Sequence, residues 1–186
     1  MQELSLNVLD IAQNSIRAGA NLIQISVLER TEDAFLEISI SDNGCGMTPE
    51  QVEHVMDPFF TTRTTRKVGL GVPFFKMSAE ATGGDFSIVS QPGVGTKTTA
   101  RYHTDHIDML PIGDMNATIL ALITMNPALD FVYTRSVNEK QYVLDTRELK
   151  EVLEGVPLDT PEVALYLKEA LEEGTAALEK PASDTN

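Results

Sequence analysis

The sequence predicts an α+β protein. Three observations carry this reading. Residues 4–18 repeat small and apolar side chains at helical spacing, residues 21–28 and 35–41 alternate as a strand pair does, and helix and hairpin patterns return beyond residue 116.

Leu4, Val8, Ile11, Ala12 and Ser15 form one stripe of the first helix, and Gly19 is a natural stop in the left-handed position after it. Ile23, Ile25 and Val27 then line one side of a strand, with Leu36, Ile38 and Ile40 on its returning partner. Thr48-Pro49-Glu50-Gln51 has capping-box spacing with proline at the first helical position, and that helix should reach Met56. Asp57 to Lys67 reads as a loop with two adjacent aromatics, four threonines and three cations. Its aromatics are expected to pin it to the core, and its polar, basic character suits either closure over an anion or an ordinary surface connection. A further helix opens around Val68 to Pro73 and stops at Gly83-Gly84. Residues 86–90 and 96–102 form a hairpin across Gln91 to Gly95.

Asp105, Asp108, Pro111 and Gly113 break the pattern as a linker does. Beyond it the sequence predicts a helix over 116–125, strands over 130–134 and 141–144, a helix capped by Asp145 to Glu148 and running to Glu154, and a last helix from Thr160-Pro161 to Gly174. Thr175 to Asn186 is small and polar and should fray.

Composition narrows the classes. In a chain of 186 residues, 42% are hydrophobic, enough for a core in one domain with an appendage or in two small ones. One cysteine, Cys45, cannot form an internal disulfide, which fits a reducing, cytoplasmic setting. Residues 1–4 show no signal-peptide pattern, and no apolar run approaches the ~18 residues of a membrane span. Net charge is −14, of which residues 103–186 carry −10, from 6 Lys/Arg against 16 Asp/Glu. This acidic balance argues against nucleic acid as a partner, because phosphate contacts need a basic surface. The three histidines lack metal-ligand spacing with one another or with Cys45.

Three patches carry candidate chemistry. Asp10, Asn14 and Arg17 fall on one face of the first helix, as a functional stripe or as a solvated one. Asp42-Asn43-Gly44-Cys45-Gly46-Met47 follows a strand; it is either a turn or a carboxylate that accepts from an exocyclic amine, with glycines admitting a close approach. Gly69-Leu70-Gly71 opens a helix, where free N–H groups and the helix dipole favour an anion.

Taken in order, these patches resemble the GHKL superfamily of ATP-binding domains, which includes sensor histidine kinases, gyrase, a heat-shock chaperone and mismatch-repair ATPases. The resemblance covers residues 4–102. Asp10 to Ala20 looks like the N box: it implies Asn14 as the Mg²⁺ ligand and Asp10 as the carboxylate that handles water in hydrolytic members. Asp42, Gly44 and Gly46 match the first glycine box, which implies Asp42 on the adenine amine, with Met47 closing the box. Asp57-Pro58-Phe59-Phe60 is similar to the phenylalanine box of histidine kinases, Gly69-Leu70-Gly71 to the second glycine box, and Gly93-Val94-Gly95-Thr96 to the closing motif. Thr96 either places a hydroxyl near the nucleotide or merely begins a strand. Arg17 and Lys67 are within reach of phosphates on this reading.

The implied fold is a two-layer α/β sandwich, a mixed sheet with helices on one face, plus a small C-terminal α+β appendage. The implied boundaries are residues 1–103 for ATP binding, 104–115 as linker, 116–174 as the C-terminal region and 175–186 as a disordered tail. Lys67-Val68 before the second glycine box, a short lid, and Asp10 in place of the usual glutamate depart from the family pattern. The chain starts close to the N box and shows no phospho-acceptor histidine box or dimerisation helices. The expectation is therefore an Mg-ATP-binding protein acting in trans as a protein kinase on a separate partner, with a slow ATPase switch or a non-catalytic nucleotide-sensing module as alternatives. A homodimer is compatible with it, and no membrane is expected. The acidic C-terminal region either covers an open sheet edge or docks a partner.

Overall fold

The computed structural model describes residues 2–59 and 70–179. Helix α1 spans Leu4–Arg17 and buries Leu4, Val8, Ile11, Ala12 and Ser15, the stripe its spacing marks out. It ends in a Schellman turn: Gly19 at φ 80° lets its own N–H reach Ile16 O while Ala20 N–H reaches Ser15 O. Strands β1 (Leu22–Arg30) and β2 (Phe35–Asp42) follow, then α2 (Pro49–Met56), whose capping box forms as the spacing predicts. Thr48 N–H donates to Gln51 Oε1 at 2.9 Å and Gln51 N–H to Thr48 Oγ1 at 3.2 Å. Helix α3 (Gly71–Ala81) and the hairpin β3 (Asp85–Gln91) and β4 (Gly95–His103) complete the first half. The second half supplies α4 (Met115–Met125), β5 (Asp130–Val137), β6 (Lys140–Asp145), α5 (Thr146–Leu153) and α6 (Pro161–Glu179).

The six strands form one sheet in the order β3-β4-β2-β1-β5-β6. Every pairing is antiparallel except β1 with β5, which run parallel from Leu22↔Asp130 to Glu29↔Val137. The sheet is thus mixed, and the acidic region covers the edge of β1 with its own strand. One sheet face carries Ile23, Ile25, Val27, Leu36, Ile38, Ile40, Ala100, Tyr102, Phe131 and Tyr133, all within the core that the helices share. The opposite face presents Gln24, Ser26, Ser39, Ser41 and Ser87, as expected of an antiparallel-rich sheet with one wet side.

The halves are also joined at α1. No side chain caps its N-terminus; the carbonyls of Pro111 and Ile112 accept from Leu4 and Ser5 N–H at 3.0 and 2.9 Å. The buried Thr118 hydroxyl on α4 donates to Ser5 O at 3.3 Å.

Two local expectations are corrected. Helix α6 does not stop at Gly174 but runs to Glu179. This glycine serves packing, because a Cβ there would fall 2.3 Å from the Tyr142 ring. Strand β5 extends past Thr134 to Val137, where Arg135 reaches Glu29 Oε2 on β1 at 2.7 Å; an ion pair across the ladder supports residues that local alternation leaves out.

Candidate nucleotide site

Asp10, Asn14 and Arg17 share the surface stripe of α1, and Arg17 Nη1 donates to Asn14 Oδ1 at 3.1 Å. The start of α3 lies against this stripe: a Cβ added to Gly71 would sit 2.8 Å from Asp10 Cβ. Only glycine permits that approach. Leu70 is the N-cap of α3 and makes no side-chain cap bond, Pro73 has no N–H, and the N–H groups of Gly71 and Val72 precede the first intrahelical bond. Such an end attracts anions.

Asp42 ends β2 beside the C-terminal part of α1. Ser15 Oγ donates to Asp42 Oδ2 at 2.6 Å, and Gly44 N–H donates to Oδ1 at 2.9 Å. Ser15, the neighbour of Asn14, is therefore in direct contact with Asp42, and Asp10, one turn before Asn14, lies against Gly71.

The loop after Asp42 is fixed from several sides. Asn43 Oδ1 accepts from the N–H groups of Asn21 and Leu22, and Cys45 N–H donates to Ala18 O at 2.9 Å. Met47 is half-buried, and its N–H donates to Ser90 Oγ at 2.8 Å. Ser90 Oγ lies 2.8 Å from Thr96 Oγ1, and Thr96 is the cross-strand partner of Asp42. Gly46 has φ 69°, and a Cβ on it would meet Gln91 O at 2.0 Å. Gly44 in turn abuts Ala18. The close approaches these glycines allow are thus to the chain itself, the Gln91 backbone and Ala18.

Asp10 stays exposed at the surface, yet partial desolvation where α3 meets α1 raises its carboxyl above the ordinary 3.8, and the Arg17 guanidinium pulls it back down. Folding then favours the protonated form, so ionised Asp10 costs stability above the raised value. That cost fades as the pH falls through the raised value and vanishes below 3.8. Asp10→Asn is expected to melt above the parent protein at pH 7 and together with it in acid below 3.8; identical melting at pH 7 would argue against desolvation.

Phe59 does not pin its loop to the core. It is 82% exposed, and its N–H is held by Asp57 Oδ1 at 2.8 Å in a turn that follows a helix with no buried residue. Phe60, Lys67 and Gly69 lie outside the described residues. Sequence reasoning assigned no role at this site to Ser15, Asn43 or Ser90. Ser15 was visible only as a small residue on the buried stripe, and neither asparagine in a turn nor serine at a strand end announces its partner.

Residues 1–106 match the family described as histidine kinase-, DNA gyrase B- and HSP90-like ATPases, more than half of the chain. The chain belongs to this family. As a GHKL domain it is 34% identical over 99 residues to the signal transduction histidine-protein kinase AtoS of Escherichia coli strain K12, and 30% identical over 98 residues to the histidine protein kinase DivJ of Caulobacter vibrioides. Those stretches span 53% and 50% of this chain but only 16% of each relative. The GHKL chain is thus related to the catalytic part of sensor kinases and spans about a sixth of their length. Among solved structures, the N-terminal domain of a DNA repair protein superposes with a TM-score of 0.52 at 16% identity, covering 78% of this chain and 53% of that one, a likeness of fold.

Proposed function

We propose that the protein binds Mg-ATP at the α1–β2–α3 junction and transfers the γ-phosphoryl group to a separate protein partner. The observation that carries this reading is that one helix, α1, touches both the Asp42 carboxylate, through Ser15, and the start of α3, through Asp10 and Gly71. These elements suit different parts of the nucleotide. Asp42 would accept from the adenine amine, with Gly44, Gly46, Met47 and Thr96 shaping the loop around it. Asn14 Oδ1 would hold Mg²⁺, and Arg17 and the N–H groups after Leu70 would face phosphate. Lys67 and Gly69 belong to the same proposal by their motif alone.

The donor proposed for this metal is an oxygen, Asn14 Oδ1, which already accepts from Arg17 Nη1 at 3.1 Å. A cation here would rest on one amide oxygen and on phosphate and water oxygens, the all-oxygen, partly hydrated shell that Mg²⁺ requires. When bound, Mg²⁺ neutralises charge on the phosphates. The chain's own part in such a transfer is orientation: α1 sets Asn14 and Arg17, and the substrate brings the nucleophile.

A second reading, a slow ATPase, has one observation in its favour. Partial desolvation raises the Asp10 carboxyl, which moves it toward the range useful to a general base. Incubation with γ-labelled ATP and Mg²⁺, alone and with cell extract, separates the readings. Label on another protein supports transfer, while free phosphate released by the protein alone and lost in Asp10→Asn supports hydrolysis. Binding with neither leaves a nucleotide-sensing module, whose acidic half would dock the partner. The single cysteine fits a cytoplasmic site of action, and among the described residues no helix is long and apolar enough to cross a membrane.

A further inference from the structure

Ser15 is 3% exposed and sits one residue beyond Asn14 on α1. Its hydroxyl has two acceptors within reach: Asp42 Oδ2 at 2.6 Å and Ile11 O, four residues back along the helix, at 3.4 Å. The short contact marks Asp42 as the principal partner. The second Asp42 oxygen is held by Gly44 N–H at 2.9 Å. A carboxylate offers about four acceptor positions and, when ionised, no donor. Protein donors therefore occupy one position on each oxygen. A carboxylate gripped at one oxygen can still swing about its broad terminal torsion, whereas one gripped at both cannot.

We infer that Ser15 is a positioning residue which locks the Asp42 carboxylate so that it shows only acceptor positions to the base. It would thereby set selectivity for a purine with an exocyclic amine over one with a carbonyl at the same place. The inference rests on the reading of Asp42 as the base-recognising group. A carbonyl there would face acceptors with no proton between them, and the fixed carboxylate could not turn away. Buried polar groups left unpaired in this manner are the basis of strong discrimination.

Calorimetric titration with Mg-ATP and with Mg-inosine triphosphate tests the inference, since the two share ribose and phosphates and differ only at the base edge, where a carbonyl replaces the amine and N1 carries a proton. The parent protein is expected to prefer ATP by about a hundredfold. Ser15→Ala is expected to narrow that ratio by about tenfold, chiefly by weakening ATP. Asn43→Ala loosens the same loop at Asn21 and Leu22 without touching the carboxylate, so it should weaken both nucleotides in proportion and leave the ratio intact. Should the alanine variant lack a cooperative melt, Ser15→Cys keeps the shape with a poorer donor and should give an intermediate ratio. An unchanged ratio in the Ser15 variant overturns the inference. So does a parent protein that binds both nucleotides equally, although triphosphate binding itself would then stand. A parent protein that binds neither defeats the proposed function instead.

Discussion

Asn14→Ala is expected to abolish Mg²⁺-dependent ATP binding, with a loss of about 100-fold or more in affinity. Even a residue that only orients a metal ligand commonly costs 10–100-fold when removed, and Asn14 is proposed as the ligand itself. The fold should not suffer. Asn14 is half-buried on a surface stripe, and its described side-chain contact is the exposed bond from Arg17, so stability should change by less than about 0.5 kcal/mol. Asn14→Asp keeps an oxygen at the same reach and should recover much of the affinity. Titration of each variant with ATP, in Mg²⁺ and in chelator, reads the effect. A variant that binds Mg-ATP as tightly as the parent would remove Asn14 from the site.

Cutting the chain after residue 106, where the family match ends, is expected to destroy the fold rather than release a nucleotide-binding domain. The cut would remove β5, one of the two partner strands of β1, along Leu22 to Glu29. It would take away the two carbonyls that cap α1, and with them Ile119, Leu122, Phe131 and Leu167 from the core shared with Leu4, Ile23 and Ile25. Each large apolar side chain stripped of its cover forfeits about 1.5–3 kcal/mol. A typical domain has about 5–15 kcal/mol in all, so four or five such losses suffice. The fragment should show no cooperative thermal transition by circular dichroism, against a single transition for the whole chain. A fragment that melts cooperatively near the parent's temperature would show that the first half stands alone.

Much of the architecture could be read from local pattern because its causes are local. Gly19 ends α1 as a glycine in the left-handed position does, Thr48 and Gln51 close their capping box, and the alternation at Ile23 to Val27 and Leu36 to Ile40 marks the buried sheet face. Motif order was enough to name the family and the two-layer arrangement. What escaped depends on contacts between distant residues. Nothing in the periodicity of residues 130–137 says that they pair in parallel with β1. Gly174 reads as a helix stop unless Tyr142 is known to lie against it. The hydroxyl of Ser15 is one more small group on an apolar stripe until β2 brings Asp42 to within 2.6 Å. Phe59 was misjudged for a related reason: an aromatic beside a core is expected to enter it, yet the turn at Asp57 directs it outward.

The lone parallel ladder governs when the protein can acquire its shape. Strand β1 pairs first with the nearby β2, but its other edge meets β5 only from Asp130 onward, so the parallel pairing waits on a loop closure of more than a hundred residues. Such distant pairings slow folding. During synthesis the stretch that carries the family match is complete before β5 has been made, so one edge of β1 stays unpaired until the last third of the polypeptide emerges.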